Sequence, residues 1–323
     1  MRVIVVGARV LVLVFATSVA PMLNLSAFSQ RTKMSTESSL AVPVPAVAAG
    51  FRSLTFDDEF DSMKTIDVNT TEQQGYNWYT DFPFGGGRTL PPAYSISNGV
   101  LTVTSTGWTA NWALSSFSSG GNVGHSFQYG YFEARMRFDP TLGPQSQGGP
   151  AFWAESTNWS SSANHTAPIH FAELDFFEAY HKEHAAYSGV FDGTLHDWHY
   201  WPDIPPVDYH NSNNFHAQPG VDYSQWHIYA CLWKPGQVTW YFDGVPLMTQ
   251  KYSASRGPNP PGKGSVLQLN TGLQGGAFHI LDSEVGGMQI ILGSSPGWPM
   301  QVDYVRVWQN MPSPSLCKVK KRP

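Results

Sequence analysis

The stretch HFAELDFFEAYH, residues 170–181, sets Glu173, Asp175 and Glu178 within six residues of a chain that is only 13% charged. Two carboxyl groups held about 5–5.5 Å apart are the working parts of a retaining glycosidase. One attacks the anomeric carbon and the other protonates the leaving oxygen. A third carboxyl between them can hydrogen-bond to one and help keep the two protonation states different. Three clustered acids also suit a hard cation such as calcium, and acids on a solvated strand face need no function at all. The aromatic neighbours Phe176 and Phe177, with no glycine-bearing loop, speak for a rigid strand instead.

Alternation along a strand puts Glu173 and Asp175 on one face. It puts Glu178 on the other, with Ala172, Leu174 and Phe176, where an ionised carboxylate among apolar side chains is costly. One extra residue at Phe176-Phe177 repairs the phase, so the sequence predicts a β-bulge there. Glu173 and Glu178 then stand about four strand steps, roughly 13 Å, apart along the backbone, and two long side chains can lean together over that gap.

The rest of the chain reads as strands able to hold such a site. AYSISNGVLTVTS (93–105) carries Asn98-Gly99 between alternating runs, and VTWYFDGVPLM (238–248) does the same around Asp243-Gly244; both are hairpin signals. In YGYFEARMRFD (129–139), Phe132, Ala134, Met136 and Phe138 share one face, and Glu133, Arg135 and Arg137 the other. SVLQLNTGL (265–273) and QVDYVRVWQ (301–309) add β-type runs. No capped helical period is sustained, so an all-β sandwich with few helices is expected. PDIPPVDYHNSNN (202–214) and SASRGPNPPGKGS (253–265) read as long loops.

The 323 residues are 41% hydrophobic with a net charge of −5, enough for a large core and the wrong sign for nucleic acid. Aromatic residues make up 14%, with 12 Trp; part of these must be core, and the surplus suits a cleft that stacks flat apolar rings and hydrogen-bonds at its rim. Arg2, Arg9, a short apolar run and small residues before Ala20 or Ala27 read as an export signal over 1–27, too short for a comfortable membrane span. A retained anchor is the alternative. Residues 28–50, rich in Ala, Pro, Ser and Thr, read as a linker, 51–311 as one catalytic domain, and 312–323 as a basic flexible tail. Cys231 and Cys317 could pair or remain free thiols.

Six segments in order resemble glycoside hydrolase family 16, in its laminarinase-like branch with a bulged catalytic strand: LTFDDEFDS (54–62), YGYFEARMRF (129–138), GGPAFWAES (148–156), ELDFFE (173–178), HIYACLWKPGQVTWYFDG (227–244) and MQVDYVRVWQ (300–309). The resemblance implies a β-jelly-roll sandwich of two curved antiparallel sheets with a concave substrate cleft. It implies Glu173 as nucleophile, Asp175 as assisting carboxylate and Glu178 as acid/base. Trp153 matches a cleft-floor aromatic, against the alternative of a core Trp, and His196 a histidine near the acid/base. Glu59 and Asp303 match positions near a structural calcium in some relatives, although surface acids there need no ion; no cofactor is otherwise required. YNWYTDFPFGGGRTLPP (76–92) and ANWALSSFSS (110–119) depart from the family pattern, so glucan contacts there are replaced or absent, with Trp108 or Trp112 as candidates to substitute. The expectation is a secreted or periplasmic monomeric endo-β-glycosidase acting on a polysaccharide, first β-1,3- or mixed β-1,3/1,4-glucan, with no membrane or nucleic-acid partner. A galactan or bacterial exopolysaccharide is the alternative substrate, and a non-catalytic carbohydrate-binding protein the alternative class.

Overall fold

A computed structural model describes residues 40–80, 93–104, 113–118, 123–139, 150–156, 169–179, 191–201, 204–215, 221–253, 278–279, 288–293 and 299–310. The chain divides into two compact units, Met1–Ala41 and Val42–Pro323, and every described strand belongs to the second. In chain order these are β1 (Ser53–Asp58), β2 (Tyr94–Ser97), β3 (Val100–Val103), β4 (Ala113–Ser115), β5 (Phe117–Ser118), β6 (Val123–Gly124), β7 (Gly130–Phe138), β8 (Ala151–Ser156) and β9 (Ile169–Ala179). There follow β10 (Phe191–Trp201), β11 (Ile204–Phe215), β12 (His227–Lys234), β13 (Gln237–Phe242), β14 (Val245–Ser253), β15 (Phe278–His279), β16 (Met288–Gly293) and β17 (Met300–Gln309).

They form a β-jelly-roll of two main sheets. The larger runs β15-β14-β13-β12-β7-β17-β3-β2, with β1 also on β17, and the smaller runs β11-β10-β9-β8-β16-β4. Neighbours are antiparallel except β14 and β15, which are parallel. The alternation read in β7 holds: Phe132, Ala134, Met136 and Phe138 are buried. They meet Phe152, Leu174, Phe176 and Phe177 of the smaller sheet in one core. Both hairpin turns form as expected, with positive φ at Asn98 and Gly99 and at Asp243 and Gly244.

Two expectations are corrected. Residues 202–214 lack strand character, yet β11 pairs with β10 from Phe191↔Phe215 to Trp201↔Ile204. Pro205 and Pro206 fall at the register shift between His199↔Val207 and Trp201↔Ile204, an irregularity of the kind at which a strand tolerates proline. Pairing with a long neighbour overrides the poor β-propensity of its Asn and Ser residues. The linker reading of 28–50 fails at its C-terminal end, where Val44–Ala49 form helix α1. Pro45 in the first turn lacks an N–H that would have no intrahelical partner, and Gly50 closes the helix at φ 87°. Ala46 packs with Phe51, Tyr131, Ala230, Leu232 and Trp308 in a second apolar cluster, so this end is anchored to the domain. Residues 1–27, 254–273 and 312–323, with the expectations placed on them, lie outside the described residues.

Candidate active site

The bulge is present. On β9, Asp175 pairs with Trp153 of β8 while Phe177 pairs with the adjacent Phe152, so one residue of β9 is extra. The β10 side agrees: Asp192 pairs with Glu178, and Thr194 with Asp175. Both phenylalanines point into the core. Phe176 stacks on Phe132 at 4.9 Å, and Phe177 lies against Tyr229 at 4.4 Å. Two consecutive core aromatics are what a phase shift requires, and beyond them Ala179 is buried while Glu178 is half-buried like Glu173.

The strand therefore carries three acids on the face away from the core, flanked by β8 and β10. Opposite Glu173 stand Glu155 of β8 and His196 of β10; opposite Asp175 stand Trp153 and Thr194. Asp175 is only 2% exposed. Its Oδ2 lies 2.9 Å from His196 Nε2, and Glu173 Oε1 lies 4.0 Å from the same nitrogen. With Asp175 ionised, the Nε2–H donates to it, which fixes both the imidazole and the carboxylate between the two glutamates. The register sets His196 opposite Glu173, four residues along β10 from Asp192, the partner of Glu178.

A contact across the sandwich secures the bulge. Trp240 of β13, fully buried, donates its indole N–H to the main-chain carbonyl of Asp175 at 2.7 Å. This hydrogen bond ties the larger sheet to the middle of β9. Trp240→Phe keeps the ring's bulk but leaves that carbonyl without its partner, so a stability loss of about 1–3 kcal/mol is expected in urea unfolding.

Trp153 is 4% exposed and packs with Ala113 and Ala151. It sits in register with Asp175 on the acid-bearing face, so it floors the site more than it presents a free ring. Trp112 and Trp108 lie outside the described residues. Glu59 is ion-paired with Arg306, and Asp303 with Arg135 at 2.6 Å. Among the described residues, the group with ligand spacing is Glu173, Asp175 and His196, whose ligand atoms lie within 4.8 Å of one another. An acid pair with its imidazole partner accounts for that cluster, and no metal is assigned to it. Cys231 is a free, buried thiol, pushed up in pKa by burial; Cys317 lies outside the described residues.

Sequence reasoning passed over Glu155. It is 0% exposed, and among the described residues neither carboxyl oxygen has a hydrogen-bond partner. The available signal was its place two residues after Trp153, on the same face of β8 and beside the acidic strand.

A two-sheet jelly-roll with a bulged strand presenting two glutamates on one face is an arrangement that suits a glycoside hydrolase. The model for glycosyl hydrolases family 16 matches residues 92–279, more than half of the sequence, and the chain belongs to that family. Among solved structures it is similar to the laminarinase catalytic domain of Thermotoga maritima MSB8, at 16% identity and a TM-score of 0.45, over 80% of this chain and 99% of that one. It is also similar to the endo-β-1,3-glucanase of Pyrococcus furiosus, at 17% identity and a TM-score of 0.45, over 80% and 95%. The κ-carrageenase of Pseudoalteromonas carrageenovora gives 17% identity, a TM-score of 0.45 and the same coverage. No curated protein matches the chain.

Proposed function

We propose that the protein is an exported, retaining endo-β-glycosidase that hydrolyses a β-linked polysaccharide. The observation that carries this reading is the bulge, which returns Glu178 to the face of Glu173 and Asp175. In the first step the Glu173 carboxylate attacks the anomeric carbon. The glycosidic C–O bond breaks as Glu178, protonated, gives its proton to the leaving oxygen. In the second step Glu178, now a carboxylate, takes a proton from water as that water attacks the same carbon. The ester to Glu173 breaks and both groups return to their starting states. Asp175, tied to His196, is held in position between them.

The order of family motifs supports β-1,3-glucan or mixed β-1,3/1,4-glucan as the first substrate. The departures at 76–92 and 110–119 are the reason to set galactans and bacterial exopolysaccharides beside them. Neither proposed step calls on a cofactor. Among the described residues no helix is long and apolar enough to cross a membrane. The export reading rests on residues 1–27 and predicts a mature N-terminus just after Ala20 or Ala27 in a secreting host.

The test is a polysaccharide panel read by newly formed reducing ends and product lengths. Short oligosaccharides from a β-glucan are expected. Release from a galactan alone would move the substrate assignment, and no release from any β-linked polysaccharide would favour a binding protein.

A further inference from the structure

Among the described residues, Glu155 is a buried acid that the mechanism above leaves unused. It lies on β8, in the interior of the smaller sheet, between β9 and β16. Its cross-strand partner on β9 is Glu173 itself, and directly opposed residues in an antiparallel pair hold their Cβ atoms about 4.5–5.5 Å apart. The side chain is fully buried, and both of its oxygens lack a hydrogen-bond partner among the described residues.

An ionised carboxylate in that setting is very costly, and a buried acid of this kind stays protonated instead. The charged groups around it reinforce this. On β9 they are Glu173 and Asp175; on β10, His196 contacts both; on β16 the residue in register, Gln289, carries no titratable group. Burial first, then the charges of Glu173 and Asp175, push the Glu155 carboxyl well above its ordinary value of 4.5. A neutral acid beside a working carboxylate is a known device for tuning acid chemistry near neutral pH.

Such a group weakens the fold, because burying a polar side chain without partners is unfavourable. A methionine of similar size would fill the same space at no such cost. Local rules broken inside a rigid element concentrate at functional sites, where stability is given up for activity.

We infer that Glu155 is a positioning residue of the reaction centre: a fourth carboxyl, kept neutral, whose dipole faces the Glu173 carboxylate as that group loses and regains its charge. The inference rests on the assignment of Glu173 as nucleophile. Its neutrality limits the site to the charges the mechanism needs. Glu155 forms no bond to substrate and transfers no proton.

The sign of its effect on stability follows from linkage. Below pH 4.5 the group is protonated both folded and unfolded, so it adds no pH-dependent penalty. As pH rises above 4.5, the unfolded chain releases the proton that the folded chain keeps, and stability falls.

The experiment compares the full chain with Glu155→Gln and Glu155→Met, following thermal midpoints from pH 4 to pH 8 and kcat and KM on the substrate found in the panel. The Gln variant is expected to match the parent midpoint near pH 4 and to exceed it by about 3–6 °C at pH 7, and the Met variant to exceed it throughout. For Met, kcat is expected to fall at least about tenfold with KM unchanged, because the dipole at the nucleophile is lost. The neutral, dipolar Gln is expected to restore kcat to within about threefold of the parent. A Met variant that keeps the parent kcat, or a Gln variant as impaired as Met, overturns the positioning role. Midpoints that drop in both variants at pH 7 overturn the neutral, unpartnered state, and that readout needs no substrate. Glu173→Ser, run in parallel, separates the cases: activity surviving there removes the nucleophile assignment, whatever the Glu155 variants do.

Discussion

Glu173→Ser is expected to lower kcat by at least about 10⁴-fold on the natural polysaccharide while leaving the fold and substrate binding intact. Loss of a nucleophile in covalent catalysis removes the low-barrier route altogether, and the residue left behind cannot form the glycosyl-enzyme. Serine is shorter and neutral, and Glu173 is half-buried with its oxygen 4.0 Å from His196 Nε2, so little packing is lost. The thermal midpoint is therefore expected to hold or rise, since one of two neighbouring negative charges goes. Reducing-end assays, with binding of the variant to the polysaccharide followed by calorimetry, measure both halves of this expectation. Residual activity within tenfold of the parent would sink the role given to Glu173.

Glu178→Gln is expected to act differently. General acid assistance to a departing sugar contributes about 10²–10⁴-fold, so hydrolysis of the polysaccharide should fall by that factor. An aryl glycoside with an acidic phenol as leaving group needs little protonation. On it the first step should run close to the parent rate and the second should lag, because water is no longer deprotonated. A burst of phenol followed by slow turnover is the expected trace. Equal loss on both substrates would mean that Glu178 is not the acid.

Much of this site was legible because the signals are local. The pair Phe176-Phe177 between Asp175 and Glu178 breaks alternation, and the only way to keep both rings in the core and all three acids out of it is the bulge that the structure contains. Asn98-Gly99 and Asp243-Gly244 announced their turns through the positive φ both residues must adopt. What escaped was set by pairing and packing partners outside each segment. Nothing in PDIPPVDYHNSNN says strand; β10 makes it one by supplying the ladder. The AVPVPAVAAG segment reads as a linker by composition, and only the apolar patch around Tyr131 and Trp308 makes the helix worth forming. The position of His196 depends on the register between β9 and β10, which no motif encodes. Trp240 and Glu155 were silent for the same reason, since one acts across the sandwich and the other through the absence of partners.

The central claim is that Glu173 and Glu178 work on one anomeric carbon in two displacements. Proton NMR of the first product formed, recorded before mutarotation, tests it most directly. The account predicts that the newly released reducing end appears as the β-anomer and equilibrates to α afterwards. Initial appearance of the α-anomer would mean a single inverting displacement and would contradict the assignment of Glu173 as nucleophile.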